Sequence, residues 1–173
     1  MDAAEQHRSY APGHLGFAVL TASDSRTAAD DLGGDLISRA VAAAGHVVVV
    51  RQVLADEVEI IRSATISLIE NSEIDVIVLT GGTGFSPRDV SVEAISPLLE
   101  RTIDGFGELF RMLSHRQVGA AAMLSRACGG VSGDTPVFLL PGSTKAVQLA
   151  MEQLILPEVG HLIGQLRRSR EAS

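Results

Sequence analysis

Four short apolar runs punctuate the chain: Leu15 to Leu20 (LGFAVL), Val47 to Val50 (VVVV, continuing into RQVL), Ile74 to Leu79 (IDVIVL) and Pro136 to Leu140 (PVFLL). Their shortness and their Val and Ile content favour buried strands over buried helices. Between the runs the apolar period changes. Ile37, Ala40, Val41 and Ala44 fall at i, i+3, i+4 and i+7 and stop at Gly45. Ile61, Ala64, Thr65 and Leu68 repeat the spacing between Asp56 and Asn71, and Val147, Ala150, Met151 and Leu154 do so again. Continuous strands alternating with amphipathic helices predict an α/β fold, a mostly parallel sheet covered on both faces. One segment departs from this rhythm. In SRACGGVSGDTPVFLL, Val131 to Thr135 has the composition of a hairpin turn between two extended stretches, so the sheet is expected to be mixed.

The composition narrows this picture without changing it. A chain of 173 residues with 46% apolar content suits one packed core. We therefore expect a single domain over residues 15–166, with Met1 to His14 and Arg167 to Ser173 as flexible tails. The first fourteen residues hold no signal-like apolar stretch, and no run approaches the roughly eighteen apolar residues of a membrane helix. A cytoplasmic protein with no membrane partner is expected. A net charge of -7 argues against a broad hold on nucleic acid, so an anionic ligand has to be held locally. The single cysteine, Cys128, cannot close an internal disulfide and reads as a small buried residue. The five histidines are too scattered for a local metal motif.

Chemistry is sought in the loops beyond the carboxyl ends of the strands: TASDSR (Thr21 to Arg26), TGGTGFSPRD (Thr80 to Asp89) and PGSTK (Pro141 to Lys145). Gly81, Gly82, Thr83 and Gly84 can present successive backbone N–H groups to a phosphate-sized anion, or can simply make a tight turn that needs glycine. The loop is neither a P-loop nor a dinucleotide fingerprint. Asp89 closes a possible capping box, Ser86-Pro87-Arg88-Asp89, and is equally a carboxylate within reach of a phosphate loop, where Mg²⁺ is held. In PGSTK, Gly142 loosens the backbone and Ser143 or Thr144 can cap the next helix, whose N-terminus favours an anion. Lys145 is the one lysine in a chain that otherwise uses arginine, which suggests a compact ammonium is wanted there. Asp24 and Asp56 each follow a strand, as caps or ligands. Glu108 and Arg111 stand three apart on a helical stretch, where a surface ion pair is expected over a buried Phe106, Phe110 and Leu113 face. Phe85 either packs on a flat ring or joins the core.

Taken together, LTGGTGFSPRDVSVEA, GFGELFRMLS, LSRA and LPGSTKAV resemble, in order and spacing, the family of molybdopterin adenylyltransferases and molybdenum cofactor biosynthesis protein B. The resemblance spans about Gly16 to Leu156 and is closest to the protein B branch. It implies a three-layer sandwich, trimers or hexamers, and Mg²⁺-dependent transfer of AMP from ATP to the terminal phosphate of molybdopterin, with pyrophosphate released. It also implies a partner enzyme that inserts molybdate. Carried over by motif, the two essential aspartates are Asp56 and Asp89; because that reaction needs charge neutralisation and no general base, both are expected on Mg²⁺ and its waters. The substrate loops are Gly81, Gly82, Thr83 and Gly84 with Gly142 and Ser143, and Asp24, Glu108, Ser125 and Arg126 line the site. Where the family often has Asp-x-Ser-Gly, this chain has Asp31-Leu32-Gly33-Gly34 and so lacks one hydroxyl. A carrier that binds molybdopterin without turnover is the alternative. A nucleotide-dependent oxidoreductase is disfavoured by the absent G-x-G-x-x-G after Leu20.

Overall fold

Six strands form one sheet in the order β2-β1-β3-β6-β5-β4. They are β1 (Gly16–Ala22), β2 (Val47–Leu54), β3 (Val76–Thr80), β4 (Arg101–Thr102), β5 (Cys128–Ser132) and β6 (Thr135–Leu140) in a computed structural model that describes residues 13–171, and the side chains of 13–168. β1, β2, β3 and β6 run parallel, while β5 and β4 add on antiparallel. The mixed sheet therefore comes from the hairpin foreseen at Val131 to Thr135. Ser132 pairs with Thr135 around Gly133-Asp134, with Gly133 at φ +57°, the glycine-first pattern of a type II′ turn.

Helices cover both faces, as the alternating strand residues require. Phe17 and Val19 of β1, Val76 and Val78 of β3, and Phe138 and Leu140 of β6 point to one layer. It is formed by α1 (Leu32–Ala43), α4 (Asp104–Val118) and the continuous rod of α5 (Thr144–Ala150), a π turn (Met151–Ile155) and α6 (Leu156–Glu171). Ala18, Leu20, Ile77, Leu79, Val137 and Leu139 point the other way, onto α2 (Val58–Ile69) and the short α3 (Ser91–Ile95). This is the three-layer sandwich. α1 ends in a Schellman motif: Gly45 at φ +83° donates to the Ala42 carbonyl and His46 to the Val41 carbonyl.

Two expectations at the ends need comment. The tail expected from Arg167 starts too early, because α6 continues through Glu171 and Arg167 pairs with Asp75 at the start of β3. Residues 1–12 of the amino-terminal tail lie outside the described residues, while His14 Nδ1–H donates to the Gly45 carbonyl at 2.7 Å and Leu15 is buried. Among the described residues no helix is long and apolar enough to cross a membrane.

Candidate functional site

β1 connects to β2 on one side and the chain then crosses to β3 on the other, so the sheet reverses direction between β1 and β3. Loops at the carboxyl ends of strands flanking such a reversal enclose a crevice. Here they are the loop after β1, carrying Asp24, the glycine loop after β3, and the Pro141 to Lys145 loop after β6. A cleft of about 450 Å³ is lined by Gly81, Gly82, Thr83, Gly84, Asp89, Ser125, Gly142, Ser143 and Lys145. Nine of the residues read from the sequence as site residues thus line the same cleft.

The glycine loop owes its shape to specific close approaches. Gly81 sits at φ +96°, where a Cβ would stand 2.3 Å from the Ala22 carbonyl oxygen, and Gly82 sits at φ +62°. Gly81 N–H donates to the Leu140 carbonyl and locks the loop to β6. Among the described residues, the N–H groups of Gly82, Thr83 and Gly84 have no protein acceptor. That is the arrangement an anion site requires. Ser143 caps α5 by accepting from the Ala146 N–H, and Lys145 is exposed at the cleft edge.

Asp89 does not close a helical capping box. Asp89 N–H donates to the Ser86 carbonyl, and its own Oδ2 accepts from Ser86 N–H at 2.9 Å, so Ser86 to Asp89 is a turn with Pro87 second; the helix begins later, at Ser91. Asp24 and Asp56 do not line the cleft. They bind each other just behind the glycine loop: Asp24 N–H donates to Asp56 Oδ2 and Asp56 N–H to Asp24 Oδ1, both at 3.0 Å. Arg88 donates to Asp24 Oδ2 through Nε at 2.9 Å and through Nη2. The Arg88 hydrogen bond, with help from Asp56 N–H, holds the Asp24 carboxyl below the ordinary aspartate value. Burial pushes the Asp56 carboxyl up, against the lowering effect of the Asp24 N–H.

The other oxygen of Asp56, Oδ1, is buried without a hydrogen-bond partner, and so is the hydroxyl of Ser91. Both face Gly82. A Cβ there would stand 2.4 Å from Ser91 Oγ and 3.1 Å from Asp56 Oδ1. Orphaned buried oxygens are uncommon and cost free energy unless a ligand meets them. Among the described residues no three His, Cys, Asp or Glu side chains converge into a metal cage. The donor set is instead hard oxygens beside a phosphate-sized loop, which fits Mg²⁺ held partly by a substrate's own phosphates.

Glu108 is not brought to the cleft. On α4, Phe110, Ser114 and Gln117 face it, and Glu108 lies two residues before Phe110, roughly 200° round the helix. Glu108 lines a separate recess of about 320 Å³ with Arg111, Arg126 and Cys128. The expected Glu108–Arg111 ion pair is absent because Arg111 donates to the Ser125 and Ala127 carbonyls. Arg126 likewise turns inward. Its guanidinium bonds the carbonyls of Thr83, Gly84 and Asp89, pairs with Glu93, and lies 5.2 Å from the Phe85 ring centre. Arg126 is the strut of the glycine loop. Phe85, 71% exposed, does not join the core.

Sequence reasoning missed three contributors: Arg88, Ser91 and Asp31. Asp31 is fully buried, caps α1 through Gly34 N–H, accepts from Thr21 Oγ1 and pairs with Arg51. The Gly33-Gly34 pair then has a partial reason, since a Cβ on Gly34 would stand 2.0 Å from Asp31 Oδ2. At Gly33 a Cβ would meet Thr80 at 3.4 Å, in ordinary contact.

Residues 18–161 match the model of a family described as "Probable molybdopterin binding domain". The chain belongs to that family. Within the molybdopterin-binding domain family it is similar to molybdenum cofactor biosynthesis protein B of Bacillus cereus, 44% identical over 164 residues, covering 94% of this chain and 97% of that one. The Bacillus subtilis protein of the same name is 39% identical over 167 residues, covering 96% and 98%. A crystal structure of a molybdenum cofactor biosynthesis protein B superposes with a TM-score of 0.88 at 45% identity, covering 91% of this chain and 99% of the other. The tungsten cofactor synthesizing protein of Pyrococcus furiosus superposes at 0.78 with 35% identity, covering 91% and 99%. The protein B resemblance and the three-layer fold are thus both established for this chain.

Proposed function

We propose that this chain acts in molybdenum cofactor biosynthesis by transferring AMP from ATP to the terminal phosphate of molybdopterin. The observation that carries this reading is one cleft edged by two anion-ready loops and Lys145, with the unpartnered Asp56 oxygen directly behind it. An oxygen of the pterin's phosphate bonds the α-phosphorus of ATP. The bond from that phosphorus to the oxygen bridging toward the β-phosphate breaks, and pyrophosphate leaves with that oxygen. The nucleophile needs no general base, because a phosphate monoester with a second pKa of about 6 is largely dianionic at neutral pH. The obstacle is anion meeting anion, so positioning and charge neutralisation dominate.

In this reading the N–H groups of Gly82, Thr83 and Gly84 cradle one phosphate, Lys145 adds a mobile charge, and Ser125, Gly142 and Ser143 shape the opposite wall. Phe85 offers an exposed ring for a flat heterocycle. Asp56 serves Mg²⁺, which when bound would neutralise phosphate charge and polarise the reacting phosphoryl group, and Asp89 holds the turn that follows the glycine loop. Asp24 orients Asp56. The chain works as a homotrimer or hexamer in the cytoplasm and hands its product to a molybdate-inserting enzyme.

Pyrophosphate release from ATP on adding molybdopterin, with and without Mg²⁺, tests this for the wild type and Asp56→Asn. Release that needs molybdopterin, Mg²⁺ and Asp56 supports the transferase. Molybdopterin binding with no pyrophosphate would make the chain a carrier.

A further inference from the structure

We propose that the divalent cation is seated by Asp56 Oδ1 together with the hydroxyl of Ser91, and that Asp89 shapes the loop without ligating the cation. This rests on the reading of the site as Mg²⁺-dependent and replaces the carboxylate pair suggested by motif. Three observations carry it. Ser91 is fully buried, yet its Oγ has no partner, and the same is true of Asp56 Oδ1. Both oxygens converge on the space left open by the missing side chain of Gly82. Asp89 also spends one oxygen, Oδ2, on a backbone N–H, that of Ser86, and packs that carboxylate against Gly84, where a Cβ would stand 2.8 Å from Oδ2, but its Oδ1, unlike Asp56 Oδ1, is not an orphaned buried atom.

The chemistry of the pair is coherent. Mg²⁺ takes hard oxygens and is commonly held by one or two protein groups plus phosphate oxygens and waters. In nucleotide-hydrolysing proteins of the P-loop class, a Ser or Thr hydroxyl opening the helix after a glycine loop shares Mg²⁺ with an Asp from another strand end. Here Ser91 opens α3 after the glycine loop, and Asp56 follows β2. The loop sequence is unlike a P-loop, but the placement of hydroxyl and carboxylate is parallel. Gly82 is then glycine for two reasons, its positive φ and the clash that a Cβ would make with Ser91 Oγ at 2.4 Å.

The test is Mn²⁺ binding followed by loss of the free-ion electron paramagnetic resonance signal, with and without α,β-methylene-ATP. The variants are Ser91→Ala, Ser91→Thr, Ser91→Cys and Asp89→Asn, each checked for a native circular dichroism spectrum. We expect Ser91→Ala to weaken Mn²⁺ by about tenfold or more, Ser91→Thr to restore it, and Asp89→Asn to stay near wild type. Ser91→Cys, nearly isosteric, keeps the variant series interpretable if the alanine fails to fold. A thiolate ligand should lower Mn²⁺ affinity and raise Cd²⁺ affinity above that of the wild type. The proposal is overturned by wild-type Mn²⁺ affinity in Ser91→Ala and Ser91→Cys, by a loss in Asp89→Asn equal to that in Ser91→Ala, or by no Mn²⁺ binding to the wild type in either condition. Ser91-dependent Mn²⁺ binding without pyrophosphate release would keep the seat and remove the transferase. Pyrophosphate release with Mn²⁺ affinity unaltered by Ser91→Ala would do the reverse.

Discussion

Asp24 and Asp56, from the ends of two adjacent parallel strands, each accept the other's backbone N–H at 3.0 Å. The exchange fixes one oxygen of Asp56 and leaves the other aimed past Gly82. Asp24 is therefore a positioning residue in the proposed chemistry, and Asp24→Ala should lower kcat/KM for pyrophosphate release by about ten- to a hundredfold. Because Asp24 is exposed, the thermal midpoint should move little. Asp24→Asn keeps an acceptor for Asp56 N–H and should lose less. Equal losses in the two variants would show that the Arg88 pair, not the backbone exchange, is what matters.

Arg126 reaches back more than forty residues in sequence to the carbonyls of Thr83 and Gly84 and also bonds Asp89. A lysine cannot span those acceptors with one ammonium, and its loss of the planar fork removes contact with Phe85 as well. Arg126→Lys should cost about 2 kcal/mol in urea unfolding. Amide exchange should speed up in residues 83–89 while β1 and β3 stay protected. Uniformly faster exchange would make Arg126 a general core brace and not a loop strut.

The contrast between those two residues shows what was legible in the chain. Val76 to Thr80 and Gly16 to Ala22 announce themselves as strands because burial on both faces leaves continuous apolar runs, and the loops that follow them must then face the cleft. The glycines were therefore legible as cleft residues, and Asp24 and Asp56 only as carboxylates after strands, which the fold places behind the cleft. Ser91 was not legible, since a serine opening a helix looks the same whether its hydroxyl caps or is orphaned. Glu108 was misplaced for a related reason: its motif neighbours reach the cleft, but helical periodicity turns it away. β4 spans only Arg101–Thr102 and carries no period to detect.

Gly81 and Gly142 meet across the cleft floor, a Cβ on Gly142 standing 3.4 Å from Gly81 Cα, and they should respond differently to alanine. At Gly81 an added Cβ meets the Ala22 carbonyl at 2.3 Å and the backbone is at φ +96°, so neither neighbour nor torsion can yield cheaply. Gly81→Ala should destabilise by about 2 to 3 kcal/mol. Gly142→Ala makes only ordinary contact and should stay within about 1 kcal/mol. Urea denaturation of both variants decides it, and similar losses would mean that the close approach at Gly81 relaxes.

Cys128 is the only thiol in the chain, so its chemistry can be read without interference. It stands half-buried in the recess with Arg111 and Arg126, and burial raises its pKa despite the opposing pull of both guanidinium groups. Since the thiolate is the reacting form, native Cys128 should alkylate with iodoacetamide more slowly than the same thiol in urea at each pH. Its rate should still be climbing where the unfolded reference has levelled. The linkage follows with the same sign. The folded state holds its proton to higher pH than the unfolded state, so the contribution of Cys128 to stability is full below the ordinary thiol value and is lost as pH rises from there through the raised folded value. A native rate profile that levels off earlier than the unfolded one would mean that the two arginines outweigh burial, and would recast the recess as an anion-stabilising site.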